Sequence, residues 1–402
     1  MKEGCHMVDL VKTLLREAEQ EFSYARELRR EFHQYPEIAR EEYRTAERIE
    51  AELRSFGLAT TRVAGTGVYA EIKGNGKDDK TILLRADIDA LPVNEERQCP
   101  YKSKIPGKMH ACGHDAHTAA LLTAAKLLSR HRDDFGGTVR LVFQPGEEIG
   151  YGARVFVDEG YAEGADRCFG VHTASNVPVG KVVIMPGPNN AGVDWFRISV
   201  KGKSAHVSNP EQGVDALFIA AAIVTGAQAI TTRRFNPMEP LIIGIGTLHA
   251  GSAYNVVAEK AVLEGTVRTM TRKTREAVRA ELEQLAKGTA QLYGGSAEIQ
   301  WKDFTSPLVN DADVSAEVAR IAKELFGEKN VITSRTPSLG GDDFAEFILK
   351  VPGTYAYIGS ANESLPETTV SHHNGYFDID EQAIVVAVKL YAACAVEFLQ
   401  GV

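Results

Sequence analysis

Between residues 66 and 185 the chain alternates short apolar strands with helices, and three of the strands run into residues that carry chemistry. A strand expected at 81–86 leads to Asp87, one at 138–143 leads to Glu147 and Glu148, and one at 166–171 leads to His172. This alternation predicts an α/β fold built on a parallel sheet with helices on both faces. In such sheets ligands bind in the crevice beyond the carboxyl ends of the strands. Asp87, the two glutamates and His172 are therefore expected to converge there.

The flanking segments fit the same frame. Residues 8–56 read as helices, with Leu10, Leu14, Leu28 and Phe32 at helical spacing, a break at Pro36 and Gly57 as a C-cap. Residues 117–130 read as a further helix, 312–326 as another, and 381–399 as the last. The rhythm changes at 190–305, where the order strand-helix-strand-strand-helix-strand matches the ferredoxin-like pattern. A chain of 402 residues exceeds one ordinary core, so two domains are expected. The expected division is a first domain of 1–187 and 306–402, interrupted by an inserted α+β domain of 188–305.

Charge and cysteine usage remove several alternatives. A net charge of −9 disfavours the basic face that nucleic-acid binding needs. No unbroken apolar run approaches a membrane span, and the first residues lack a signal-peptide core, so a cytoplasmic protein without membrane contact is expected. Five scattered cysteines are not a disulfide framework. Cys5, Cys99, Cys168 and Cys394 read as ordinary thiols, and Cys112 stands apart because of its neighbours.

Those neighbours form the densest chemical cluster, MHACGHDAH at 109–117, a metal-type grouping of one thiol with several imidazoles. QPGEE at 144–148 adds two adjacent carboxylates. Alone, such a pair suits a helix N-terminus. Beside a metal it permits a division of labour, one glutamate binding the ion and the other acting as general base. His172 and the pair His372 and His373 complete four separate elements.

With these residues in view, the chain resembles the metallopeptidase family of aminoacylase, carboxypeptidase G and succinyl-diaminopimelate desuccinylase. It is most similar to the amidohydrolase branch, with its hippurate, N-acyl-amino-acid, auxin-conjugate and p-aminobenzoyl-glutamate hydrolases. The resemblance rests on LRREFHQYPE at 28–37, LRADIDALP at 84–92, the runs at 109–117 and 144–148, GKSAH at 202–206, NVV at 255–257, GTVR at 265–268, GDDF at 341–344 and SHHNGYF at 371–377. It implies a di-metal exopeptidase-type catalytic domain with an inserted lid or dimerisation domain.

It also implies two divalent ions per subunit, manganese or zinc, with cobalt as an in vitro substitute. Cys112, His114, Glu148, His172 and His373 would be the ligands, with His372 as the other choice for the last. Most of the wider family carries His-x-Asp where this chain has Arg85-Ala86-Asp87. The resemblance then gives the missing histidine's part to His114 and a bridging aspartate's place to Cys112, with Asp87 orienting a ligand imidazole. The metals would supply a water of lowered pKa, toward about 7. Glu147 would take its proton and pass it to the leaving amine. His206 would polarise the scissile carbonyl from the partner subunit, and Asn255 and Arg268 would hold the substrate carboxylate or carbonyl.

The expected activity is hydrolysis of N-acyl or N-aroyl amino acids, small substrates with a free carboxylate, by a homodimer or higher homo-oligomer. The alternatives are a dipeptidase or p-aminobenzoyl-glutamate hydrolase and, in another class, a catalytically silent metal-binding protein.

Overall fold

The computed structural model describes residues 2–401, with side chains from residue 10 onward, so Cys5 and His6 lie outside the described side chains. Three helices open the chain: α1 (Lys2–Gln20), α2 (Phe22–Gln34) and α3 (Tyr43–Ser55). Leu10, Leu14 and Ala18 of α1 fall four residues apart and are buried together. On α2 the buried stripe is Ala25, Leu28, Arg29, Phe32 and His33, so two polar side chains lie in an otherwise apolar face. Strands β1 (Thr60–Val63), β2 (Gly67–Lys73) and β3 (Thr81–Asp87) follow. Next come α4 (His114–Arg130), β4 (Thr138–Gln144), α5 (Gly152–Asp158), β5 (Arg167–Pro178), β6 (Val182–Ile184) and β7 (Gly187–Asn190).

The middle of the chain supplies β8 (Gly192–Lys201), α6 (Ala216–Ala229), β9 (Leu241–Ala250), β10 (Lys260–Thr269), α7 (Arg272–Leu292) and β11 (Ser296–Thr305). The last part holds β12 (Leu308–Asn310), α8 (Ala312–Phe326), β13 (Val331–Ile332), α9 (Ala345–Ile348), β14 (Gly353–Ala361) and α10 (Gln382–Gln400).

The chain divides into two compact units. One comprises Met1–Gly187, Asn310–Thr336 and Asp343–Val402, and the other Pro188–Val309 and Pro337–Asp342. Two boundaries differ from expectation. Residues 306–309 stay with the second unit, and so does the short return 337–342, where the Ala191 N–H donates to the carbonyls of Ser338 (3.0 Å) and Gly340 (3.2 Å).

The first unit is built on an eight-stranded sheet of order β1-β2-β4-β3-β5-β14-β6-β13. The expected parallel core is present: β3 pairs with β4 and β5, and β5 with β14, all parallel. The sheet as a whole is mixed, because β1–β2, β2–β4 and β14–β6 pair antiparallel. All seven residues of β3 are buried, as a strand covered on both faces requires. Helix α4 buries 14 of its 17 residues, so it packs on several sides rather than along one stripe. Two helical stretches, Ala216–Arg234 and α10, are apolar and long enough to cross a membrane by length and composition alone, although charged or polar residues interrupt their apolar runs. Helix α10 is a core helix, buried along most of its length.

The second unit follows the order β8-α6-β9-β10-α7-β11, and its four-stranded antiparallel sheet runs β11-β8-β10-β9. Phe196, Ile198 and Val200 alternate inward on β8 and cluster with Ile219 and Ile223 of α6 and Val278 and Leu282 of α7. Arg275 closes this core with a buried two-pronged pair, donating to both carboxylate oxygens of Asp194 at 2.9 and 2.6 Å.

Candidate metal centre

The parallel register aligns the carboxyl ends of the central strands, pairing Asp87 of β3 with Gln144 of β4. Beyond those ends the chain turns sharply. Gly113 separates Cys112 from His114 with φ of 94°, and a Cβ there would meet Thr173 Oγ1 at 2.4 Å, so only glycine fits. His114 then starts α4. After β4, a short turn carries Glu147 and Glu148, and its backbone is held by carboxylates. Glu42 Oε1 accepts from Gly146 N at 2.9 Å, and Asp89 accepts from Glu147 N at 3.1 Å and Glu148 N at 3.0 Å. Burial, then the nearby Asp89, pushes Glu42 up to about 7.

His172 differs slightly from expectation, because β5 continues through it to Pro178 instead of ending before it. Its Nδ1–H donates to Thr173 O at 2.7 Å, which fixes the tautomer and leaves the Nε2 lone pair 3.4 Å from Cys112 Sγ. His114 is set the same way. Its Nδ1–H donates to Asp89 O at 2.9 Å, and Nε2 is buried with no hydrogen-bond partner among the described residues. That nitrogen faces Asp87 Oδ2 at 3.8 Å, Glu147 Oε2 at 3.9 Å and Glu148 Oε1 at 4.0 Å. Burial alone would lower its pKa, but the Asp87, Asp89 and Glu148 charges prevail and hold it up at about 10. A lone pair aimed at three carboxylates calls for a proton or a cation between them, and one ion about 2.0–2.3 Å from each donor fits such spacings.

The expected ligands, with the expected base Glu147 and with Asp87 and His117, fall into overlapping groups whose donor atoms lie within 4.8 Å of one another: Cys112 with His114 and His172, Cys112 with Glu148 and His373, His114 with Glu147 and Glu148, and His114 with Asp87 and His117. Cys112 belongs to two of them. Burial, reinforced by Glu148 and Glu147, holds its thiol well above the usual range. A coordinated cation is what would draw that proton off.

His373 Nε2 is 3.2 Å from Glu148 Oε1, at the exposed edge of the cluster. It takes the left-handed φ of 61°, unusual for a residue with a side chain, and its N–H donates to Ala111 O at 2.8 Å. His372 also approaches, with Nδ1 3.6 Å from Cys112 Sγ, while its Nε2 accepts from Ser175 N at 3.4 Å. Burial, then the neighbouring histidines, lowers it to about 4, so it is neutral. Among the described residues, the one donor group that joins Cys112 and Glu148 takes His373 rather than His372.

Asp87 makes different bonds from those expected. Its oxygens go to His117 Nδ1 at 2.6 Å and Arg85 Nη1 at 2.5 Å, so it orients His117, which is not among the expected ligands. His117 Nε2 accepts from Thr173 N at 2.9 Å, so both its nitrogens are engaged. Asp89 is the residue that holds His114, and it was missed. The Asp89 carboxylate also accepts from Glu147 N and Glu148 N and stands 3.4 Å from His114 Nδ1. Asp89→Ala keeps the carbonyl bond to His114 but loses this carboxylate, and is expected to weaken divalent-metal binding about 10-fold, measured by chelator competition. Arg85 is fully buried and donates to Gln144 and Asp343 as well. A guanidinium has no lone pair to give a metal. His110 is buried with neither ring nitrogen hydrogen-bonded among the described residues, and burial lowers it to about 3.

The remaining expected residues lie in the second unit. His206 is exposed, and its Nδ1 accepts from Ser208 N at 3.1 Å, which makes Nε2 the protonated nitrogen of the neutral ring. Asn255 O accepts from Val207 N at 3.1 Å, tying its loop to that of His206. Arg268 on β10 donates through Nη1 to Leu339 O at 2.8 Å.

A buried set of thiol, imidazole and carboxylate donors beside a further glutamate is the constellation of a metal-dependent hydrolase. Comparison with known proteins agrees. Residues 83–397 match the model of Peptidase family M20/M25/M40. N-acetylcysteine deacetylase of Bacillus subtilis is 38% identical over 337 residues, covering 84% of this chain and 86% of the relative. Thermostable carboxypeptidase 2 of Saccharolobus solfataricus is 34% identical over 396 residues, covering 97% and 99%. Among solved structures, the YXEP protein of Bacillus subtilis, described as a dinuclear metal-binding peptidase, superposes with a TM-score of 0.83 at 34% identity, covering 96% of this chain and 100% of that one. The chain belongs to Peptidase family M20/M25/M40. It is an enzyme of the metal-dependent amidohydrolase and peptidase class.

Proposed function

We propose that the chain is a cytoplasmic amidohydrolase that cleaves N-acyl amino acids to a carboxylate and a free amino acid, with two divalent ions that Cys112, His114, Glu148, His172 and His373 would hold. The observation that carries this reading is the membership of Cys112 in two donor groups, one with His114 and His172 and one with Glu148 and His373. Asp87 then supports His117, and Asp89 orients His114. Manganese or zinc bound there would acidify a water and polarise the substrate carbonyl.

The chain's own residues do the rest. Glu147, buried and anchored through its N–H to Asp89, takes the proton and returns it to the leaving amine. His206 offers an Nε2–H to the developing oxyanion. Arg268 and Asn255 hold the substrate's carboxylate or carbonyl.

The substrate class is supported by relatives that act, by name, on N-acetylcysteine or as carboxypeptidases. In both cases the scissile amide stands next to a free carboxylate. The discriminating test is a hydrolysis screen of N-acyl amino acids, dipeptides and p-aminobenzoyl-glutamate after loading with manganese, zinc or cobalt. N-acyl amino acids are expected to turn over fastest. Faster turnover of dipeptides or of p-aminobenzoyl-glutamate would move the reading to those substrates. The free thiols Cys99, Cys112, Cys168 and Cys394 suit a reducing compartment.

The second unit serves, in this reading, as lid and dimerisation domain. Its strand β9 is a sheet edge with Ile242 and Leu248 exposed, and α6 leaves Leu217 and Phe218 exposed. An apolar sheet edge of this kind favours pairing with a second copy. Sharing of His206 across a homodimer predicts complementation. Heterodimers of His206→Ala and Glu147→Gln subunits should recover activity that neither homodimer has, because one of their two sites is intact. Proven heterodimers without activity would contradict it.

A further inference from the structure

Arg29 lies fully buried in the middle of α2, within the stripe that Leu28 and Phe32 make apolar. It is an unusual residue to place in a core, and its partners explain the choice. Three of its nitrogens meet three different carboxylates: Nε donates to Asp115 Oδ2 at 2.8 Å, Nη2 to Asp378 Oδ1 at 2.7 Å and Nη1 to Glu381 Oε1 at 3.2 Å. Asp115 is the residue after His114, and Asp378 stands five residues beyond His373. A single rigid guanidinium therefore ties together the two segments that bring Cys112 and His114 from one side and His373 from the other.

Both arms are reinforced. His33 Nδ1 lies 2.8 Å from Asp115 Oδ2, while Tyr101 O–H donates to Asp378 Oδ2 at 2.8 Å and Arg97 pairs with the same carboxylate. The segments also meet where His373 N–H donates to Ala111 O at 2.8 Å, with His373 in the left-handed region. A backbone held in that conformation depends on its neighbours to keep it there.

We infer that Arg29 is a positioning residue that sets the spacing between the 109–117 and 371–378 segments, and so determines how the Cys112, Glu148 and His373 donors close on a cation. This rests on the metal reading proposed above. Lysine would keep the charge of Arg29 but lacks the planar fork that reaches three carboxylates at once.

The test is Co2+ affinity of the purified chain, measured by chelator competition, with the thiolate-to-cobalt absorption band as a second readout. Arg29→Lys and Asp378→Asn are each expected to bind Co2+ about 10–100-fold more weakly and to shift that band. Arg275→Lys, which disturbs the buried pair with Asp194 in the other unit, should keep wild-type affinity and spectrum; an equal loss there would mark a general stability effect and overturn the inference. Wild-type affinity and spectrum in Arg29→Lys would overturn it as well. If Arg29→Lys does not fold, the same result in Asp378→Asn overturns it. Cys112→Ser separates the two levels. Loss there with no loss in the clamp variants removes the clamp alone, and no loss in any of them removes the metal reading with it.

Discussion

Glu147→Gln is expected to lower kcat by about 100-fold to 10,000-fold while the protein retains its full complement of divalent metal. The substitution keeps the shape of the side chain and the backbone anchor from Glu147 N to Asp89 Oδ1 at 3.1 Å. It removes the carboxylate that would take and return the proton, whose Oε2 lies 3.9 Å from His114 Nε2. Glutamine has no basic oxygen of comparable strength, so the loss should appear in kcat rather than in metal content. Steady-state kinetics and elemental analysis of the same preparation check both halves. Undiminished turnover would remove Glu147 from the mechanism.

Cys112→Ser should have an effect of similar size on a different quantity. Cys112 is shared by two donor groups, so its loss weakens both positions at once. Supporting partners around a metal are worth about 10–100-fold in affinity, and a directly shared donor should exceed the upper figure. Serine does not restore it. Its hydroxyl resists deprotonation far more than a thiol does, and its harder oxygen suits a different range of ions. The check is metal stoichiometry at limiting metal, where a marked fall is expected. Unchanged stoichiometry would deny Cys112 a ligand role.

What could be read from the sequence follows the range over which each signal acts. The run at 109–117 and the pair Glu147 and Glu148 are local in sequence, and their placement at the carboxyl ends of β3, β4 and β5 follows from strand and helix alternation alone. The order of elements in the second unit was legible for the same reason. Strand pairing was not, because it joins distant segments. The antiparallel contacts of β1, β2 and β6 that make the large sheet mixed have no local signature. Strand β14, GTYAYIGSA, has eight of its nine residues buried, so it lacks the alternation that marks a half-exposed strand and carries no periodic signal in the sequence.

Two residues of the site escaped for a different reason. Asp89 acts on His114 largely through its backbone carbonyl, a bond that any residue type could make. Arg29 reads as one more charged residue on an amphipathic helix until Asp115, Asp378 and Glu381 are seen around it. The choice between His372 and His373, open on residue order, became a matter of which nitrogen reaches Cys112 and Glu148 together.

The most direct measurement is anomalous diffraction from crystals of the chain loaded with zinc or manganese. Two metal peaks per chain are expected, with Cys112 Sγ between them, His114 and His172 on one side and Glu148 and His373 on the other. A single peak, or two peaks that both leave Cys112 uncoordinated, would contradict the shared-thiolate centre.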